Sequence, residues 1–155
     1  MTTIQLETEI NAPIERVFDL SRSIDFHIHS ASETKERAIA GRTSGLITHG
    51  ETVTWRGRHF GVFLKHTSKI VNYERPSQFT DVMIKGHFIY FGHQHFFEIK
   101  DQKTMMIDIL KYRTPYWVFG RIFDKFFLNR HLTRFLEQRN KAIKVEAEKP
   151  KTTYL

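Results

Sequence analysis

The amino-acid sequence predicts an α+β domain in which one seven-stranded antiparallel sheet wraps around a long C-terminal helix, with two short helices after the first strand. Three observations carry this reading. Residues 34–114 form a nearly unbroken series of alternating apolar and polar runs joined by short turn signals, the pattern of an antiparallel meander. One more alternating run opens the chain, and a long stretch with helical apolar spacing closes it. A lone sheet cannot cover its own apolar face, so the closing helix must lie across it.

Each element has its own signal. In Thr2–Ile10, Ile4, Leu6, Thr8 and Ile10 alternate with Gln5, Glu7 and Glu9, as in a half-buried strand. Asn11-Ala12-Pro13 stops it, with Asn11 a favourable helix cap and Pro13 suited to a first helical turn. Ile14, Val17, Phe18 and Leu20 then give a short amphipathic helix. Ile24-Asp25-Phe26-His27-Ile28-His29 reads as a second short helix or a turn, which completes a helical corner. Strands are expected over Thr34–Ala40, Gly50–Arg58, Phe60–Asn72, Gln78–Lys85, His87–Lys100 and Lys103–Thr114. Pro115 ends the last of them. Trp117–Glu148 reads as one helix, with Phe119, Ile122, Phe123, Phe126, Phe127, Leu132, Phe135, Leu136 and Ile143 near helical spacing. The expected organisation is a single domain over 1–148 and a C-terminal tail over 149–155.

Composition narrows the function classes. Of 155 residues, 40% are apolar and 26% charged, which excludes a disordered chain. The absence of cysteine excludes disulfide scaffolds, thiol nucleophiles, iron–sulfur clusters and cysteine-ligated zinc. The N-terminal residues lack a basic and apolar leader pattern, and no run approaches the ~20 apolar residues of a membrane span. A soluble cytoplasmic protein is therefore expected. Two features stand out: a formal net charge of +7 and 14 phenylalanines. The first directs attention to anionic partners, the second to a wide interior with bulky walls.

The N-terminal segment IQLETEINAPIERVFDL resembles the opening of the START-related superfamily, which includes polyketide cyclase-like proteins, the birch-pollen allergen group and lipid-transfer domains. The segment ILKYRTPYWVFGRIFDKFFLNRHLTRFLEQRNKAIK resembles that superfamily's last strand and gripping helix, while VTWRGRHFGV and GHFIYFGHQHFFEI resemble an uncharacterised bacterial branch. The resemblance covers nearly the whole chain. It implies the helix-grip fold and a small hydrophobic ligand in an internal cavity, and its motifs are those of a fold rather than of catalysis.

Period-two parity assigns the inner face of the sheet. Val53, Trp55, Gly57 and His59 fall on it, as do Leu64, His66, Ser68 and Ile70. Phe79, Asp81 and Met83 follow from the next strand, then Phe91, His93, His95 and Phe97, and finally Met106, Asp108, Leu110 and Tyr112. The expected cavity thus has apolar walls of Trp55, Met83, Phe91, Leu110, Tyr112, Trp117 and Phe123. Its candidate polar anchors are His59, His93, His95, Asp81 and Asp108. The expected gate is the helical corner near Phe26 together with turns at Gly57 and Gly86. Buried imidazoles and carboxylates must be paired, so the cluster reads either as an internal network or as a ligand anchor. General acid–base chemistry by a His–Asp pair, as in a cyclase- or hydrolase-like enzyme, is the alternative; no catalytic residue is assigned. The spacing His93-x-His95 alone is too common to indicate a metal, and neither metal nor cofactor is expected.

Arg56, Arg58, Lys65, Lys69, Lys111 and Arg113 share the outer parity. That basic face offers a weaker alternative function, contact with an anionic partner such as a membrane surface. Nucleic acid is not expected, because aromatic and basic residues fall mainly on opposite faces. A monomer or a homodimer fits the sequence equally well.

Overall fold

The computed structural model describes residues 1–150, so 151–155 of the expected tail lie outside the described residues. Strand β1 (Thr2–Ile10) leads into helices α1 (Ile14–Ser21) and α2 (Ile24–Ser30). A 3-10 turn at Ser32–Thr34 precedes six strands: β2 (Arg37–Gly41), β3 (Thr52–His59), β4 (Val62–Glu74), β5 (Gln78–Lys85), β6 (Tyr90–Lys100) and β7 (Lys103–Arg113). All seven form one antiparallel sheet in the order β1-β7-β6-β5-β4-β3-β2. Every consecutive pair from β2 to β7 is a hairpin neighbour, and β1 closes the far edge against β7, with Thr2 opposite Tyr112 and Ile10 opposite Thr104. Register shifts in β2–β3 and in β4–β5 bend the sheet, because an extra residue on one strand increases local twist.

Several local expectations change. The second strand begins at Arg37 rather than Thr34, since Thr34 closes the 3-10 turn through its Oγ1 bond to the Ala31 carbonyl (3.0 Å) and Lys35 is left-handed. The sixth strand begins at Tyr90 rather than His87, with residues 86–89 forming an irregular connection. Asn11 does not cap α1 with its side chain; its backbone N–H instead donates to Glu148 at 2.8 Å. Ser23 does cap α2, its Oγ accepting from the Phe26 N–H at 3.1 Å.

The closing helix is not one continuous α-helix. It runs as α3 (Trp117–Phe123), a π-helical turn (Asp124–Leu128) and α4 (Asn129–Ala147). The wide turn buries Asp124 and Leu128 and leaves Phe126 and Phe127 facing outward. Asp124 is pinned from the sheet, accepting from Tyr112 Oη (2.5 Å) and Thr2 Oγ1 (2.6 Å).

The apolar core is divided. One cluster joins Ile10, Val17, Phe18, Phe79, Phe97, Met106 and Ile143 beneath α1, and another joins Ile4, Leu110, Tyr112, Leu128 and Leu136 beneath the helix. On β7, Met106 belongs to the first and Leu110 to the second, with buried Asp108 between them.

Candidate ligand cavity

Between the curved sheet and the helices lies a cavity of about 590 Å³. The inner face of β3–β7 supplies its floor, and α2, α3 and α4 supply its roof. Because side chains alternate along a strand, the residues that parity turned inward come together here. Trp55, His59, Asp81, Phe91, His93, His95, Leu110 and Phe123 all line the cavity.

Four predicted wall or anchor residues do not. Asp108 is completely buried, covered by the His93 and His95 rings on one side and by Arg139 and Asn140 on the other. Tyr112 is equally buried, its hydroxyl turned to Asp124 and its ring packed on Phe88 and Phe91. Trp117 is 80% exposed, because the left-handed backbone at Tyr116 and Trp117 turns this corner away from the sheet. Met83 has the inward parity but packs against the Gly86 bend, beyond the cavity wall.

The floor carries a compact polar cluster. His93 Nε2 and His95 Nδ1 approach the same Asp108 oxygen at 2.9 and 2.8 Å. Neither N–H is well aligned on that oxygen, so these contacts act through charge more than through directional hydrogen bonding. Asn140 Nδ2 donates to the other Asp108 oxygen at 2.7 Å, and Arg139 Nη1 lies 3.5 Å from the first. On the cavity side, His95 Nε2 donates to Asp81 Oδ2 at 3.0 Å, with His93 Nδ1 at 4.0 Å from that atom. The two imidazole centroids are 3.9 Å apart, and Phe79 stacks on His95 at 4.2 Å.

This geometry separates the two histidines electrostatically. Burial resists a charge on His95, but the Asp108 and Asp81 carboxylates outweigh it and raise its pKa. Burial lowers His93, and the neighbouring His95 lowers it further. The two carboxylates therefore draw the proton toward His95 rather than His93. Burial alone would raise the carboxyl of Asp81, yet its bond from His95 holds it at about 2. Burial would raise Asp108 too, but the two histidines hold it well below the carboxylate range.

A second network ties the roof to β3. Glu36 accepts from His27 Nε2 at 2.6 Å and lies 3.4 Å from His59 Nε2, whose Nδ1 is 3.0 Å from His131 Nε2. Burial would raise Glu36, but the bonds from His27 and His59 hold it at about 2. Gly57 makes room for this, since a Cβ there would stand 2.8 Å from Glu36 Cγ. Gly57 thus lies within β3 rather than in a gating turn. Phe26 packs on the closed apolar cluster, so the helical corner is not the opening. The opening lies at the other end of the sheet, where Phe60, His87, Tyr116, Phe119 and Phe123 line the cavity.

Sequence reasoning missed Glu36, His131 and the buried role of Arg139. Glu36 falls inside the strand expected from Thr34, but it lies in the connection before β2, where period-two parity does not apply. His131 and Arg139 lie on α4, beyond the π-helical turn, where helical spacing counted from Trp117 does not give the face.

Two other chemistries have partial equipment here. Asp81, His93 and His95 can each offer one metal-ligating atom, all within 4.8 Å of one another. A metal there would displace the second proton of His95 and its bond to Asp81. His66 Nε2 and Ser68 Oγ are 2.9 Å apart in the cavity wall, a base beside a hydroxyl. Ser68 is in mid-strand between β3 and β5, so its backbone belongs to the sheet ladder and offers no oxyanion donors.

No protein-family model matches the chain, and no curated protein matches its sequence. Solved structures do match its fold. TTHA0849 from Thermus thermophilus is similar at TM-score 0.74 and 15% identity, over 96% of this chain and 100% of that one. A START superfamily protein from Mycobacterium smegmatis is similar at 0.70 and 14%, over 94% and 97%. Major latex-like protein 151 from Panax ginseng is similar at 0.70 and 12%, over 96% and 98%. The chain therefore has the helix-grip fold shared by START superfamily and major latex-like proteins.

Proposed function

We propose that the protein binds a small hydrophobic or aromatic molecule, lipid- or polyketide-like, in the cavity between sheet and C-terminal helix. One observation carries this: a space of about 590 Å³ with mostly apolar walls and a few polar groups, the compact Asp81–His93–His95 cluster among them. Its size lies within the roughly 300–1,000 Å³ of small-molecule sites, and a few convergent polar groups are what fix orientation in such sites. The resemblance of the sequence to the START-related superfamily supports the same reading.

The floor also suggests the handle of the ligand. Both His95 nitrogens are taken up by the Asp108 and Asp81 carboxylates, so the group left for a ligand is the cavity-facing Asp81 carboxylate, an acceptor. An acceptor suits a neutral donor, such as a hydroxyl, phenol or amide N–H, better than an anion. Displacement of cis-parinaric acid by long-chain alcohols and phenols tests this in buffer. Asp81→Asn is expected to weaken the hydroxylated competitors about ten-fold relative to alkanes of equal length. Equal weakening of both sets would remove Asp81 from the anchor.

A second reading has a specific observation behind it. His93 and His95 lie side by side at the cavity floor with their pKa values moved in opposite directions, an arrangement suited to an acid–base pair. Under a cyclase- or hydrolase-like activity, His93→Gln abolishes turnover while leaving binding near wild type. Under binding alone, the same change alters only affinity and stability.

A further inference from the structure

The open end of the molecule carries an apolar surface that the binding reading does not use. Tyr116, Trp117 and Phe119 are each at least 80% exposed, and Ile122 and Phe126 are more than half exposed. Phe60, on the β3–β4 turn, joins them through Phe123 (5.2 Å between ring centroids), which in turn meets Phe127 (5.8 Å). Phe60, Tyr116, Phe119 and Phe123 also line the cavity, so this surface is continuous with the cavity mouth. Monomeric proteins rarely leave so much contiguous apolar area in water.

The backbone holds the corner open. Tyr116 and Trp117 are both left-handed (φ 65° and 43°), a costly conformation for two large side chains in succession. Gly120 permits the tight return, since a Cβ there would stand 1.9 Å from the Pro115 carbonyl oxygen. Asp124 then fastens the segment to β1 and β7. Strain is thus spent on turning rings outward.

Charge identifies what covers this surface. Arg121, Lys125, Arg130 and Arg134 surround it on the helix, and Arg58, Lys65, Lys85 and Arg113 ring it at the strand ends; all are exposed. From Ile109 to Leu136 the single carboxylate is the buried Asp124, and the spans Thr52–Tyr73 and Val82–Phe97 contain none. Glu9, Glu51, Glu74, Glu98 and Asp101 all lie toward the opposite ends of the strands. A second copy of the chain would bring two cationic rings together. An anionic bilayer instead offers headgroups to the cations and hydrocarbon to the rings, with Trp and Tyr suited to the boundary between them.

We propose that this α3 rim docks on an anionic lipid bilayer, so that the cavity takes up and releases its ligand directly through the headgroup layer. The rim shares Arg58, Lys65 and Arg113 with the basic face suggested by the sequence but is centred on α3 rather than on the outer face of the sheet. Docking itself is independent of the cavity reading, and only the cargo rests on it.

Co-sedimentation with vesicles tests the docking, using phosphatidylglycerol and phosphatidylcholine in equal parts against phosphatidylcholine alone. Partition to the anionic vesicles is expected to be about ten-fold stronger or more, and to fall with added salt. Trp117→Ser with Ile122→Ser is expected to abolish partition, and Arg121→Glu with Lys125→Glu to remove the anionic preference. None of these four residues lines the cavity, so cis-parinaric acid binding without vesicles should persist and confirms a folded variant. Absence of that binding in the wild type would defeat the cavity reading while leaving docking intact. Absence of vesicle partition, or partition indifferent to both double variants, would overturn the proposal. So would a dimer in sedimentation velocity that Trp117→Ser dissolves and vesicles fail to displace, since the rim would then belong to a second copy.

Discussion

Asp108 is the residue on which the polar layer turns. It is fully buried between two apolar clusters and gathers His93, His95, Arg139 and Asn140 around it. Removing one member of such a set strands the others in a low-dielectric interior, so Asp108→Ala is expected to cost roughly 3 kcal/mol or more in urea unfolding. The histidine pair also shapes stability against pH. Above the ordinary imidazole value of 6.5, folded His95 keeps a proton that the unfolded chain releases, and stability falls as pH rises. Below 6.5, folded His93 stays neutral where the unfolded chain takes up a proton, and stability falls as pH drops. Their joint contribution therefore peaks near pH 6.5. His95→Gln should flatten the alkaline side of that profile, and an unchanged slope would show that His95 is not the raised group. Further loss is expected as pH falls from the ordinary carboxylate range toward about 2, where Asp81 and Glu36 take up protons in the native state.

At the scale of elements, the π turn decides what the C-terminal helix shows to the sheet. It buries Asp124 against Tyr112 and Thr2, and places Leu128 and Leu136 over the core. Asp124→Ala leaves the buried Tyr112 hydroxyl with only a long bond from Asn129 (3.4 Å), for an expected cost of about 1–3 kcal/mol measured by thermal or urea unfolding. This turn also marks the border of what the sequence reveals. Strands were legible because parity is strict: Trp55, His93, His95 and Leu110 face the cavity as their alternation requires. Helical spacing is more forgiving, and one extra residue in a turn rotates everything beyond it. Phe126 and Phe127, within that turn, face outward, and Arg139, beyond it, points into the core, while Trp117 before it stands in the open because of the left-handed backbone at Tyr116 and Trp117. Glu36 was illegible for a different reason: it precedes β2 in a connection whose path is fixed by the 3-10 turn and by Gly57 opposite. Parity also could not report depth, which is why Asp108 has the inward phase of an anchor yet lies beneath the two rings that reach the cavity.

The whole molecule has two unlike ends. At one, α1 and the sheet close over a dense aromatic cluster in which Phe18 meets Tyr73, Phe79 and Phe97 edge-on at 5.2–5.6 Å. At the other, sheet and helix diverge into a cavity rimmed by exposed rings and cations. The proposed function rests on that cavity having an occupant. Native mass spectrometry of the freshly purified protein tests this most directly. The wild type should carry a mass excess of one small hydrophobic molecule that solvent extraction releases, and Leu64→Trp, which places a larger ring in the cavity wall, should carry none. An unliganded wild-type mass, together with an unchanged melting temperature across long-chain alcohols, phenols and fatty acids, would contradict a ligand-binding cavity.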